Sequence, residues 1–380
     1  MWKYIAGSQR IQPIGMDIGH SSVKLVQLAV CDDSIKVLAA RRAPLGVDWD
    51  ADDREREQAV IQVTRQLLAD NHFRGRHVVS SLPIDKLKIT SLRLSESEAP
   101  QAEKILRKEA GERFNLDPQK DSINYIHAGN VRQGEDARDE YILFGADRET
   151  IGNHIRVLEE TGLTPVAIDA PPCALFRSFE RTMRRQEDRE RTIIFVDVGC
   201  RFTTVVFGRS GEICFVKQIP VGLGQFTEEI ASALGIARAD AESLRLRLRR
   251  DEPVDPATRR PMIDALNVMA EQLANEISLC LRYYTVTFRG KRVERAIVAG
   301  GGAYEQVLRD VLRRHLSVEV EVAEPLRGFD IRPGTVDDSH GNGCADLALA
   351  VGLSLKGWDA ADANSRAVAC PEPVLEGEPQ

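Results

Sequence analysis

The same short pattern occurs twice in this chain. "IGMDIGHSSVKLVQL" runs from Ile14 to Leu28, and "IIFVDVGCRFTTVVF" from Ile193 to Phe207. Each passes from an apolar run through Asp-x-Gly into small or polar residues, then into a second apolar run. Asp17 and Asp197 stand 180 residues apart. Solenoid repeats recur every 20–50 residues or so, which excludes that architecture. The separation fits two similar lobes, each opening with a β-hairpin, facing each other across a cleft. A length of 380 residues suits two domains or one bilobal one.

The residue types at the turns suit a polyphosphate. A hairpin turn aims backbone N–H groups at one point, an anion-binding nest. Gly19 and Gly199 let phosphate oxygens approach the main chain. Asp17 and Asp197 repel phosphate but can hold Mg²⁺ through its waters. Lys24, returning along the first hairpin, supplies a point charge for the β/γ-phosphates. A third element, "IVAGGGAY", runs from a strand into Gly300, Gly301 and Gly302 and then a helix. Bare backbone there can receive a flat group. The chain has no G-x-x-x-x-G-K-[ST] P-loop and no G-x-G-x-x-G opening a helix.

Between the two hairpins, Lys86 to Thr164 reads β-α-β-β-α, a compact α+β unit. Its first helix is capped by Ser95 or Ser97 and its second closes at Gly162. Ile14–Ala40 and Ile193–Pro220 read as hairpins turning at "CDDS" and "GRSGE". "DDREREQAVIQVTRQLLADN" is an amphipathic helix (Ala59, Val63, Gln66, Leu67) that stops near Asn71. Gln225 to about Phe288 is helical, broken by the loop "RDEPVDPATRRP". Met1–Pro13 reads as a loose arm. The tail from Trp358 is rich in Pro and acid and reads as disordered.

Composition narrows the function. A net charge of -7 argues against nucleic acid. The basic run "LRLRLRR" (Leu244–Arg250) reads as a solvated helix face. No apolar run reaches about 18 residues and no signal-peptide core opens the chain, so a cytoplasmic protein without direct membrane insertion is expected. The seven cysteines form no C-x-x-C pair and read as buried free thiols.

The order of motifs resembles the actin-like ATPase superfamily, a bilobal α/β fold built on a duplicated ribonuclease H-like unit. Within it the chain resembles the PilM family of type IV pilus assembly proteins, over about Ile14 to Gly357. The likeness rests on "GMDIGHSSVKLVQL", "KILRKEAGERFNLDP", "LEETGLTPVAIDAPPCAL", "IPVGLGQFTEEIA" and "ANEISLCLRYY" followed by "AIVAGGGAY". The inserted unit is also similar to that of the cell-division protein FtsA.

The resemblance implies a first lobe over 14–85, a docking insert over 86–164, a connecting helix over 165–190, a second lobe over 191–357 and a tail over 358–380. It implies that Asp17, Gly19, Ser21, Ser22 and Lys24 line a first phosphate loop. Asp197, Gly199 and Thr203 line a second, and Gly300, Gly301 and Gly302 hold the adenosine of ATP or ADP with Mg²⁺. Glu276 reaches the ribose and Asp169 positions an attacking water. His20, Cys200 and Arg201 depart from the family's small residues, so hydrolysis, if any, is expected to be slow. The implied function is a scaffold at the inner membrane, docking the cytoplasmic N-terminal segment of a PilN-like single-pass protein. Pilus motor and platform proteins are then indirect partners. A small-molecule kinase and an FtsA-like division protein are the alternatives.

Overall fold

The computed structural model describes residues 10–31, 34–48, 50–69, 72–133, 136–183, 191–288, 292–337 and 343–362. The first lobe contains β1 (Arg10–Ile11), β2 (Ile14–Ile18), β3 (Ser22–Cys31), β4 (Ser34–Pro44), α1 (Asp53–Ala69) and β5 (His77–Ser81). An insert follows: β6 (Lys88–Ser95), a short 3₁₀ turn, α2 (Ala102–Phe114), β7 (Ser122–Gln133) and β8 (Asp136–Ala146). The chain returns through α3 (Arg148–Glu160) and β9 (Thr164–Asp169), and α4 (Pro171–Glu180) crosses to the second lobe. There it forms β10 (Thr192–Val198), β11 (Thr203–Arg209), β12 (Glu212–Ile219), α5 (Leu223–Leu234), α6 (Arg238–Arg249) and α7 (Pro256–Thr287). Then come β13 (Val293–Ala299), α8 (Gln306–Leu316), β14 (Glu319–Val322), β15 (Asp330–Ile331) and α9 (Ala348–Asp362).

The duplication is visible in the sheets. The first lobe orders its strands β4-β3-β2-β5-β9 and the second β12-β11-β10-β13-β14. In both, the first three are antiparallel and the last two join in parallel. Ile14–Ala40 and Ile193–Pro220, each read as a two-stranded hairpin, are therefore three-stranded meanders, with an extra turn at each Asp-x-Gly. Ser210 and Gly211, both at positive φ, make the tight turn into β12. β15 adds to the outer edge of the first sheet beside β4, which the sequence does not announce.

The same symmetry corrects the insert's limits. In the second lobe, β13 leads to α8 and then β14. The first-lobe counterpart is β5, α3, β9, with β6 to β8 spliced in after β5. Accordingly Val157 and Leu158 of α3 pack with Val60 and Leu67 of α1 and Met16 of β2, not with the insert's own core. That core lies between α2 and one face of the sheet β6-β8-β7, around Leu106, Ile123 and Leu143. The sheet's other face, through Ala128, Ile142 and Phe144, joins the large core of the second lobe with Phe207 and Ile277. The insert is thus seated on the second lobe rather than projecting from the first.

Several local readings change for plain reasons. Ser95 opens a 3₁₀ turn containing Pro100, its N–H donating to Glu98 Oε2 at 2.8 Å, before α2 begins. Gln66 of α1 is exposed, and Val60, Thr64 and Leu68 complete the buried face. Gly235, at positive φ, ends α5, while Pro256 starts α7 under a cap by Asp255, so "PATRRP" is helical. Arg10 and Ile11 pair with β3 instead of lying loose, and α9 runs on to Asp362. The helix stop at Asn71, the arm over Met1–Gln9 and the tail beyond Asp362 lie outside the described residues.

The lobes meet where α4 and α9 cross. A Cβ on Gly352 would lie 1.8 Å from the Ala174 carbonyl oxygen, so the absent side chain sets the crossing distance.

Candidate functional site

A cleft of about 290 Å³ lies between the lobes, near the lower end of ordinary ligand pockets. Asp17, Gly19, Ser21, Ser22 and Lys24 line one wall; Asp197, Gly199, Gly300 and Gly301 line the other. Gly302 packs beneath the wall: a Cβ there would strike Val198 at 2.4 Å. Gly300 is at φ +76, with Asp197 Oδ1 2.5 Å from its missing Cβ, so only glycine fits between strand end and aspartate.

Strand register separates the two threonines. In the first lobe Lys24 lies opposite Asp17, and in the second Thr204 lies opposite Asp197. Side chains alternate along a strand. Thr204 therefore faces the cleft, while Thr203 is buried and donates to the Val221 carbonyl at 2.7 Å. The sequence assignment of Thr203 to the loop is one residue off.

The floor is acidic. Lys24 Nζ donates to Asp17 Oδ2 at 2.8 Å, and Arg42 pairs with Asp346 at 2.5 Å. Tyr304 donates to Asp346 Oδ1 at 3.1 Å. Burial pushes the Asp197 carboxyl up to about 7, with Asp17 and Asp346 adding repulsion and Lys24 opposing it. Burial alone would lower the Lys24 pKa, but Asp17, Asp346 and Asp197 together raise it. Three carboxylates held this close call for added positive charge. Among the described residues no group of three or more His, Cys, Asp or Glu could hold a metal ion by itself. A Mg²⁺ here would need phosphate and water oxygens as well, the coordination it ordinarily takes.

The upper wall is basic and comes from α6. Arg245 is buried, ion-paired with Glu305, and donates to Thr227. Arg249 stacks over the Tyr304 ring at 5.0 Å, and its Nε has no hydrogen-bond partner. "LRLRLRR" is therefore not only a solvated face: Arg245 and Arg249, four residues apart, line the cleft. That spacing was the available signal. Arg42, Tyr304 and Asp346 gave none, since only the fold brings them together.

Two assigned residues stand elsewhere. Glu276 faces a separate groove with Ile89, Phe215 and Tyr283, because that turn of α7 looks toward the insert. Asp169 lies in a groove behind the cleft, bound to Arg177 at 2.7 Å and Lys356 at 3.2 Å. Burial would raise its pKa, but Arg177 and Lys356 hold it below the usual carboxylate value. Asp169 is thus already paired with two cations and is not among the residues lining the cleft. The described cysteines are free thiols, but only Cys214 and Cys280 are buried and the other four are half-buried, short of the burial expected; Cys200, in the second loop, is pushed up to about 11 by burial and stays protonated.

That second groove, about 820 Å³, runs between β9 and the insert's β7 and β8. Both β9 and β7 are edge strands. Val166 on β9 is 51% exposed there. Among the described residues no helix is long and apolar enough to cross a membrane.

The PilM–PilN type IV pilus biogenesis complex is a solved structure that this chain resembles. The two are 22% identical, the match covers 92% of this chain and 99% of that one, and the TM-score is 0.75. The ethanolamine utilization protein EutJ from Carboxydothermus hydrogenoformans is 16% identical over 91% and 89% of the two chains, with a TM-score of 0.52. At these identities the likeness establishes the fold, the actin-like ATPase fold. A family model described as type IV pilus assembly protein PilM matches residues 15–358. Together with the duplicated sheets and the two Asp-x-Gly turns, that match means the chain belongs to the PilM family of type IV pilus assembly proteins.

Proposed function

We propose that this protein binds Mg-ATP or Mg-ADP in the interlobe cleft and, in the β9 groove, docks the N-terminal segment of a PilN-like single-pass inner-membrane protein. It acts as a nucleotide-loaded scaffold of the pilus platform. The cleft residues suit the cofactor. Gly19, Ser21 and Ser22 would face one side of the phosphates and Gly199 with Thr204 the other. Lys24 would share its charge between Asp17 and phosphate. Asp17 and Asp197 would hold Mg²⁺ through water, and Gly300 and Gly301 would receive the adenosine. The bound Mg²⁺ would neutralise charge on the phosphates. With Asp169 outside the cleft, no side chain assigned from sequence remains as a general base. That supports slow hydrolysis at most and weighs against a kinase reading, which needs such a base.

The observation that carries the docking reading is the free edge of β9 beside a large groove. An extended peptide adds hydrogen bonds to such an edge and fills alternate pockets with its side chains. The similar structure is of a PilM–PilN complex, which supports a PilN-like occupant.

The test is a pull-down by an immobilised synthetic peptide of that segment, with Mg-ATP present. Deleting the whole insert would uncover the second lobe's core, so Val166→Glu, a change at an exposed position, is the better control. Capture of wild type and loss of capture by the variant are expected. Equal capture would place docking elsewhere, and no capture of wild type would remove the scaffold reading's support.

A further inference from the structure

We propose that Arg56, which does not itself line the cleft, is the residue that aims the first phosphate loop at its ligand. Its guanidinium donates to two successive carbonyls of that loop, Gly19 O at 2.6 Å and His20 O at 2.9 Å. The chain has no cis peptide bonds among the described residues. In a trans peptide the C=O and N–H point in opposite directions. Gripping these two carbonyls from behind therefore turns the N–H groups of His20 and Ser21 away from Arg56. Among the described residues neither N–H has a backbone acceptor. Two consecutive unpaired N–H groups in a cleft-lining turn form an anion nest.

The second lobe does the same job with different parts. There the equivalent carbonyls, Gly199 O and Cys200 O, accept from the first-turn N–H groups of α5, Leu223 at 3.0 Å and Gly224 at 2.7 Å. A Cβ on Gly222 would lie 2.5 Å from Cys200 O, so the helix start is pressed against the loop. By topology α5 follows β12 as α1 follows β4. In the first lobe, however, α1 begins at Asp53, well beyond the end of β4 at Pro44, and its amides do not bind the loop. Arg56, in the first turn or so of α1, spans that gap. Its fork of donors can hold two carbonyls at once, which a lysine cannot do in the same geometry. Asp85, at the root of the insert, lies beside it, 3.6 Å from His20 Nε2. The guanidinium is therefore held behind the loop rather than free to enter the cleft.

This inference rests on the nucleotide reading, and the experiment separates the two. Mg-ATP binding is measured by calorimetry for full-length wild type, Arg56→Lys and Arg56→Gln, and each nucleotide-free protein is melted. Released from the guanidinium, the two N–H groups lose their fixed aim, so Arg56→Gln should bind Mg-ATP about 10-fold more weakly, with Arg56→Lys between it and wild type. Their melting temperatures without nucleotide should shift far less than that loss of affinity implies. Unchanged affinity in Arg56→Gln would overturn the role. So would a loss that simply tracks lowered melting temperature, with Lys rescuing nothing. Failure of wild type to bind Mg-ATP would instead overturn the parent reading, and this one with it.

Discussion

Lys24 Nζ donates to Asp17 Oδ2 at 2.8 Å, directly across the β2–β3 register. The lysine is not a free cation awaiting phosphate; it is shared. Lys24→Ala should weaken Mg-nucleotide binding roughly 10- to 100-fold by calorimetry. It should also destabilise the nucleotide-free protein, because it leaves Asp17 beside Asp197 uncompensated. Unchanged affinity would remove Lys24 from the phosphate site.

Asp197 and His154 give opposite pH signatures. Asp197 titrates near 7 in the folded chain, above its ordinary value near 4. Its contribution to stability is fully present below about pH 4 and is lost as pH rises through about 7. Burial lowers His154 to about 4, so its contribution is present above roughly pH 6.5 and is lost as pH falls through about 4. The two partly cancel. Asp197→Asn removes the first alone. At about 1.4 kcal/mol per pKa unit, the nucleotide-free variant should exceed wild type in stability by up to about 4 kcal/mol at pH 8. The gap should close near pH 4. Urea unfolding across that range would show it, and a variant no more stable than wild type at pH 8 would contradict it.

Asp169→Ala should leave phosphate release from ATP unchanged, because Asp169 stands outside the cleft. It should destabilise the fold by on the order of 3 kcal/mol, since Arg177 and Lys356 lose their shared carboxylate. A steady-state assay in which release falls while stability holds would return Asp169 to a catalytic role.

Gly352→Ala should open the α4–α9 crossing, where its Cβ would overlap the Ala174 carbonyl. Overpacking of this kind costs about 1–3 kcal/mol. A denaturant midpoint equal to that of wild type would mean that the two helices separate without strain.

The sequence made the duplication legible because Asp-x-Gly, a glycine turn and strand periodicity are local signals. The placement of Asp17, Lys24, Asp197 and Gly300 follows from them. Glu276 and Asp169 were misplaced because the face a helix or strand end presents depends on its neighbours: the insert covers one side of α7, and Arg177 and Lys356 capture Asp169. Thr203 failed by one residue, which in a strand is a change of face. Arg42, Tyr304 and Asp346 meet only through the fold. Arg56 reads in sequence as one more charge on an amphipathic helix; only its two carbonyl partners reveal a use.

The most direct test of two sites on one scaffold is amide hydrogen exchange of the full-length protein, alone, with Mg-ATP, with the PilN-like peptide, and with both. Nucleotide should protect Gly19–Ser22, Gly199–Thr204 and Gly300–Gly302. Peptide should protect β9 and β7. The two patterns should coexist when both ligands are present. Protection by peptide confined to other segments, or none at the two phosphate loops with nucleotide, would contradict the account.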